Sequence, residues 1–316
     1  VRVGSVQALV MLIAKRGLEN DPAHGDARLI LTADFAAKIK DSAQVGTDAV
    51  PEREYRNEGN HYAYAENNGL SWSEVLEVVR PQMDPYNDNN GTRVPQPHRV
   101  TPAGILTLRQ WIENNFSAGT HRRLFHRIAR EFLGLKGIES LWDNSLGSMH
   151  VGKDITRDNF SAFNGNCIGC HEIMDSARAA FAFLNFQGNV AEWRDTVAPQ
   201  FGRNTDIFPD GHDIRSLAPE FQDVWIWQAT RNQNAALGWR GPTTGKGAQE
   251  FGRMIANSRA FSVTMAKRVF RRVCLREPEV AEQRELAELS VRRFEAVNYY
   301  LHRLYEGVAA MPGCVP

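Results

Sequence analysis

The feature that most constrains this chain is the pentapeptide Cys167-Ile168-Gly169-Cys170-His171. Two thiols spaced three apart can each add to one haem vinyl group, forming thioethers. The adjacent imidazole then lies beneath the iron. Gly169 keeps the short turn between the thiols free of a Cβ near the macrocycle. The expectation is one covalent haem c, with Cys167 and Cys170 as attachment points and His171 as proximal iron ligand. Two other chemistries use a CxxC pair. A thioredoxin-type site needs a strand before the pair and has no use for the His. Here the preceding run, DNFSAFNGN (158–166), reads as a loop. A zinc site needs two further close-spaced ligands, and the sequence has no second CxxC.

Composition narrows the classes further. Basic and acidic residues balance at 37 each, so no basic field argues for nucleic acid or anionic lipid. A basic cluster at Lys267, Arg268, Arg271 and Arg272 reads as a solvated helix face. No apolar run is long enough to span a bilayer. The longest, Ala8–Ala14, meets Lys15 and Arg16 at once. Haem attachment implies maturation outside the cytosol, so the expected location is periplasmic or extracellular. There the remaining cysteines, Cys274 and Cys314, are expected to pair as a disulfide.

Apolar periodicity predicts a mostly α fold with long ordered loops. Helices are expected over Ile105–Phe116, Leu124–Leu135, Met174–Phe186, Ser258–Cys274 and Glu282–Gly307. Strand signals are weak. Met83–His98 and Arg194–Pro219 are rich in turn formers. A soft boundary near Gly119 divides a helical N-terminal domain (1–119), without a haem motif, from a c-type haem domain (120–316) with a C-terminal helical pair.

The run CIGCHEIMDSARAAFAFLNFQGNVAEWRD (167–195) resembles the CxxCH domain of large exported bacterial c-type cytochromes. In that layout an Asp, an aromatic-rich helix and a Gly…Trp-Arg sequence follow the motif. Asp175, Phe181, Phe183, Phe186, Gly188, Trp193 and Arg194 match it. The usual Asp-Pro is Asp175-Ser176 here. The tail from Phe251 through Ser258 and Phe261 to Cys314 is similar to that family's closing helical segment. The resemblance covers the last half of the chain and implies Trp193 and Arg194 as haem-propionate partners. Upstream, Met83-Asp84-Pro85, Val100-Thr101-Pro102 and Leu108…Trp111-Ile112 are similar to the back half of a small cytochrome c domain. There a Met on a Pro-bearing loop is the distal ligand.

The sixth iron ligand stays open among Met83, Met149, His150, Met254 and Met265, with an unligated distal face as a further alternative. Met174 lies too close to His171 along the chain and is expected in the core. Asp84, Asn87, Asp88, Asn89 and Asn90 with Gly91 read as a solvated turn rather than a calcium loop. The resulting expectation is a monohaem cytochrome passing single electrons to redox partner proteins, other cytochromes among them, more an electron-transfer protein than a catalyst. The alternatives are a five-coordinate haem enzyme acting on peroxide or another small oxidant and a structural subunit of a multi-cytochrome complex.

Overall fold

Ser258 caps the longest continuous helix among the described residues. Its hydroxyl accepts the Phe261 N–H at 3.1 Å, so the first turn is capped by its own sequence. The computed structural model describes residues 6–39, 76–79, 86–87, 93–94, 99–115, 122–141, 173–174, 177–187, 190–199, 215, 217–227 and 232–314. In chain order the helices are α1 (Val6–Leu18), α2 (Leu29–Thr32), α3 (Arg109–Asn115), α4 (Arg122–Phe132), α5 (Gly247–Ala256), α6 (Arg259–Cys274), α7 (Val280–Arg293) and α8 (Leu301–Ala309). Among the described residues the strands form antiparallel pairs: β1 (Ala36–Ile39) with β2 (Leu76–Val79), β3 (Tyr86–Asn87) with β4 (Arg93–Val94), β5 (Leu184–Gln187) with β6 (Val190–Trp193), and β7 (Val224–Ile226) with β8 (Thr244–Lys246). Helix dominates the described residues, as the periodicity predicts.

Three expected helices need correction. The segment Met174–Phe186 is not one helix. A 3₁₀ turn at Arg178–Phe181 gives way to β5, and Gln187 pairs with Val190 in a hairpin. The two residues between them, Gly188-Asn189, are a hairpin signal that outweighs the helical spacing before it. Glu282–Gly307 is two helices, α7 and α8. Asn298 and Tyr299 take left-handed φ values of 58° and 57° between them. Neither Gly nor Pro marks this break; tertiary contacts hold it. Phe294 is fully buried against Tyr299, Arg28 lies 4.1 Å over the Tyr299 ring, and the Ala27 N–H donates to the Tyr299 carbonyl. Finally, α3 starts at Arg109 rather than Ile105. Residues 103–108 instead turn against α2, with the Gly104 N–H donating to Ala33 O and the Ile105 N–H to Ile30 O, both at 2.8 Å. Gly104 has φ +51°, and a Cβ there would meet Ile30 O at 2.2 Å, so only glycine fits.

The hydrophobic core is continuous. Leu9, Leu12 and Ile13 of α1 are fully buried, and α1 packs on α8. α2 packs on α5 so closely that a Cβ on Gly252 would lie 2.0 Å from Leu31 O. The expected boundary near Gly119 falls outside the described residues. Elements from before it rest directly on elements from after it. Cys274 and Cys314 lie at disulfide-bonding distance with Cα atoms 4.7 Å apart, tying the end of α6 to the tail beyond α8. Among the described residues no helix is long and apolar enough to cross a membrane. The basic cluster on α6 is partly engaged within the chain: Arg268 pairs with Glu131, Arg271 with Glu277, and Lys267 donates to Gln283.

Candidate functional site

Cys167, Cys170 and His171 lie outside the described residues, as do Met83, Met149, His150, Asp175 and Gly188. What is described is the chain on the C-terminal side of the motif. Ile173 and Met174, two and three residues beyond His171, are buried in the core. From Ala177 to Asn185 every residue is buried. The segment following the motif is therefore anchored, not draped over the surface.

The anchor is an aromatic hub. Phe181 stands 6.0 Å from Phe125 of α4 and 6.0 Å from Phe251 of α5, centroid to centroid. Trp227 packs on Phe251 at 5.1 Å and Phe125 at 5.8 Å, and Trp225 packs on Phe251 at 5.3 Å. Trp239 closes the row, 6.5 Å from Trp227. These offset and edge-on arrangements are the ones the ring quadrupoles favour. Trp225 and Trp227 are buried on one face because they sit two apart on extended chain. The sequence signal was the Val224-Trp225-Ile226-Trp227 alternation, which the helical reading passes over.

Trp193 ends β6, paired in register with Leu184. Arg194 continues the ladder: its N–H donates to Phe183 O at 2.9 Å, and its carbonyl accepts the Arg99 N–H at 3.0 Å. The expected propionate partners are thus fixed in backbone position by the hairpin. Helix α3 packs against β6. It carries Trp111, whose indole N–H is buried with no acceptor among the described residues. A buried donor of this kind is costly unless a partner satisfies it. Its chemistry suits a carboxylate-bearing group.

Met254 and Met265 are 4% and 7% exposed. Met254 follows Phe251 by one turn of α5, and Met265 lies between Phe261 and Val269 on the buried side of α6. Both serve the helix core in the contacts seen. Among the described residues no group of three or more His, Cys, Asp or Glu is placed to hold a metal ion.

A small cavity beside the hub is lined by Arg99, Thr101, Phe181, Phe183, Asp223 and Gly247. Arg99 lies 4.2 Å over the Phe183 ring and donates to Gln222 Oε1 at 3.0 Å. Asp223 is 4% exposed, and one of its oxygens has no hydrogen-bond partner among the described residues. Burial pushes its carboxyl up from the ordinary value, while Lys246, with Nζ 3.8 Å away, acts in the opposite sense. Asp223 also holds the start of α5, since its carbonyl accepts the Gly247 N–H at 2.9 Å.

No protein-family model, no curated protein and no solved structure matches this chain.

Proposed function

We propose that this chain is an exported monohaem c-type cytochrome that passes single electrons within a larger extracytoplasmic redox assembly. The observation that carries the reading is the pentapeptide Cys167-Ile168-Gly169-Cys170-His171. Its donor set, two thiols and one imidazole in five residues, suits covalent haem and suits the rival CxxC chemistries poorly. A bound haem supplies a one-electron couple at iron.

The chain's own residues do the rest. Cys167 and Cys170 would hold the macrocycle, and His171 would ligate its iron. Ile173, Met174 and Phe181, buried just beyond the motif, would help to hold that stretch of chain in place. The proposed propionate partners are Trp193, Arg194 and Trp111, whose indole N–H has no acceptor among the described residues. The Cys274–Cys314 pair agrees with an oxidising compartment. Assembly into a larger complex is favoured by size: a free carrier needs only about a hundred residues, one compact domain, and this chain has 316.

The same five residues serve a five-coordinate haem enzyme, which differs only on the distal face. The optical spectrum of the ferric holoprotein separates the two. The electron-transfer reading expects a low-spin spectrum, with a weak Met-to-iron charge-transfer band if a methionine is the sixth ligand. A high-spin ferric spectrum that shifts on adding cyanide would overturn it.

A further inference from the structure

We infer that Trp239, backed by Trp227, is the port through which the protein gives up an electron to strong one-electron oxidants. The inference rests on the covalent haem proposed above and names the surface at which its electron leaves.

The geometry is a connected row of rings. It begins at Phe181, ten residues past His171, passes through Phe125 and Phe251, reaches Trp227, and ends at Trp239. No tyrosine belongs to this row. The two indoles are its most easily oxidised members, so they are the stations, and the phenyl rings are bridging medium. Trp227 is 1% exposed, whereas Trp239 is partly exposed, beside exposed Arg240 and Gly241. The row therefore runs from the segment after the haem motif to the surface.

The Trp239 indole nitrogen adds a second, independent feature. It is buried and has no hydrogen-bond acceptor among the described residues. An oxidised indole normally loses this proton quickly and is then trapped as a neutral radical. Among the described residues no acceptor stands beside it, so the proposal has Trp239 keep the proton and stay a radical cation, which is readily refilled. Trp225 differs, because its indole N–H donates to Gly247 O at 3.0 Å. It touches Phe251 as a side branch and serves as an internal control.

The electron balance is simple. The oxidant takes one electron from the Trp239 ring, Trp227 refills Trp239, and Trp227 would in turn be refilled by the one-electron couple that a haem held by Cys167, Cys170 and His171 would supply. In sum one electron leaves the protein and one oxidant is reduced. No bond forms or breaks and no proton moves.

The test is a laser flash-quench experiment on the ferrous holoprotein, with a photogenerated ruthenium(III) polypyridyl complex as the oxidant. A haem assay on the same sample comes first; a protein without haem there sinks the reading on which the port rests, before any flash. With haem present, the port predicts a transient tryptophan radical-cation absorbance that decays as ferric haem appears. Trp239→Phe and Trp227→Phe each slow haem oxidation several-fold, and Trp225→Phe leaves the rate unchanged. Absence of the transient in the unmodified protein overturns the port and requires no variant to fold. So does a Trp239→Phe protein that oxidises its haem at the original rate.

Discussion

The C-terminal helices and the segment after the CxxCH motif are stabilised in different ways. From Ser258 to Cys314 the structure is built of local devices. Ser258 caps α6, and Glu279 and Glu282 form a reciprocal capping box at the start of α7. Arg276 bridges back to Glu282 and holds its carboxyl down at about 2. Among the described residues from Ile173 to Trp227 the elements are turns and strands of four residues or fewer. They are held by rings from elsewhere in the chain. The helical block is specified largely by such local devices, the α7–α8 break excepted. The segment next to the haem motif depends on α4 and α5 to give it shape. The chain beside the proposed haem motif is thus supported by distant packing.

That contrast predicts its own largest effect. Phe251 touches Phe125, Phe181, Trp225 and Trp227, so Phe251→Ala opens the hub from its centre. The expected loss is about 4–5 kcal/mol of unfolding free energy in denaturant titration, the upper end for a buried phenylalanine. Loss of haem absorbance is expected to accompany it. A loss no larger than that from removing a helix cap would erase the distinction between the two regions.

Breaking the disulfide addresses the other region. Cys274 and Cys314 are 40 residues apart in sequence. Closing a loop of that length contributes about 4 kcal/mol on the chain-entropy model. Cys274→Ser with Cys314→Ser is expected to lower the thermal midpoint while leaving the haem spectrum intact, because the bridge lies within the helical block. A changed spectrum would mean that the two regions are coupled more tightly than their contacts imply.

Two smaller effects sharpen the local picture. Ser258→Ala removes a buried cap and is expected to cost about 1–2 kcal/mol. Leu275 works in the opposite direction. It ends α6 in the left-handed region at φ 54° and is 86% exposed, so it carries strain without packing in return. Leu275→Gly is expected to raise stability by up to about 1 kcal/mol. A thermal scan showing destabilisation would indicate that this leucine has a contact elsewhere.

The smallest effect is a pH slope. The folded carboxyl of Asp223 sits above its ordinary value of 3.8 because it is buried. Its contribution is therefore fully present below that value and is lost as pH rises through the folded one. Lys246, Arg99 and Glu250 also face it and set how far the window extends. Relative to an Asp223→Asn variant, the unmodified protein is expected to lose stability as pH rises above 3.8. An unchanged slope in the variant would assign the pH dependence to other groups.

Where signals were local, the sequence was legible. The Ser258 cap followed by the α6 stripe gives a helix almost residue for residue, and the pairing of Cys274 with Cys314 follows from their number and place. Where long-range contacts decide, periodicity misleads. The α7–α8 break is set by Arg28 and Ala27, which lie some 270 residues away from Tyr299 in the chain. The β5–β6 pairing after Phe183 competes with a helical pattern, and its signal in the sequence is the dipeptide Gly188-Asn189. Of the candidate site, the motif itself was readable because its chemistry needs five consecutive residues. The Trp111 donor and the Trp227–Trp239 pair were not, since their significance lies in what packs around them.

The most direct test of the central claim is whether haem stays with the polypeptide after denaturation. The chain would be expressed in a host with c-type haem maturation, denatured, extracted with acidified acetone, and weighed intact by mass spectrometry. The account predicts one haem per chain, retained through extraction and lost in the Cys167→Ala, Cys170→Ala double variant. A chain recovered at its polypeptide mass with both thiols free, alongside a control cytochrome that matures normally, would contradict it.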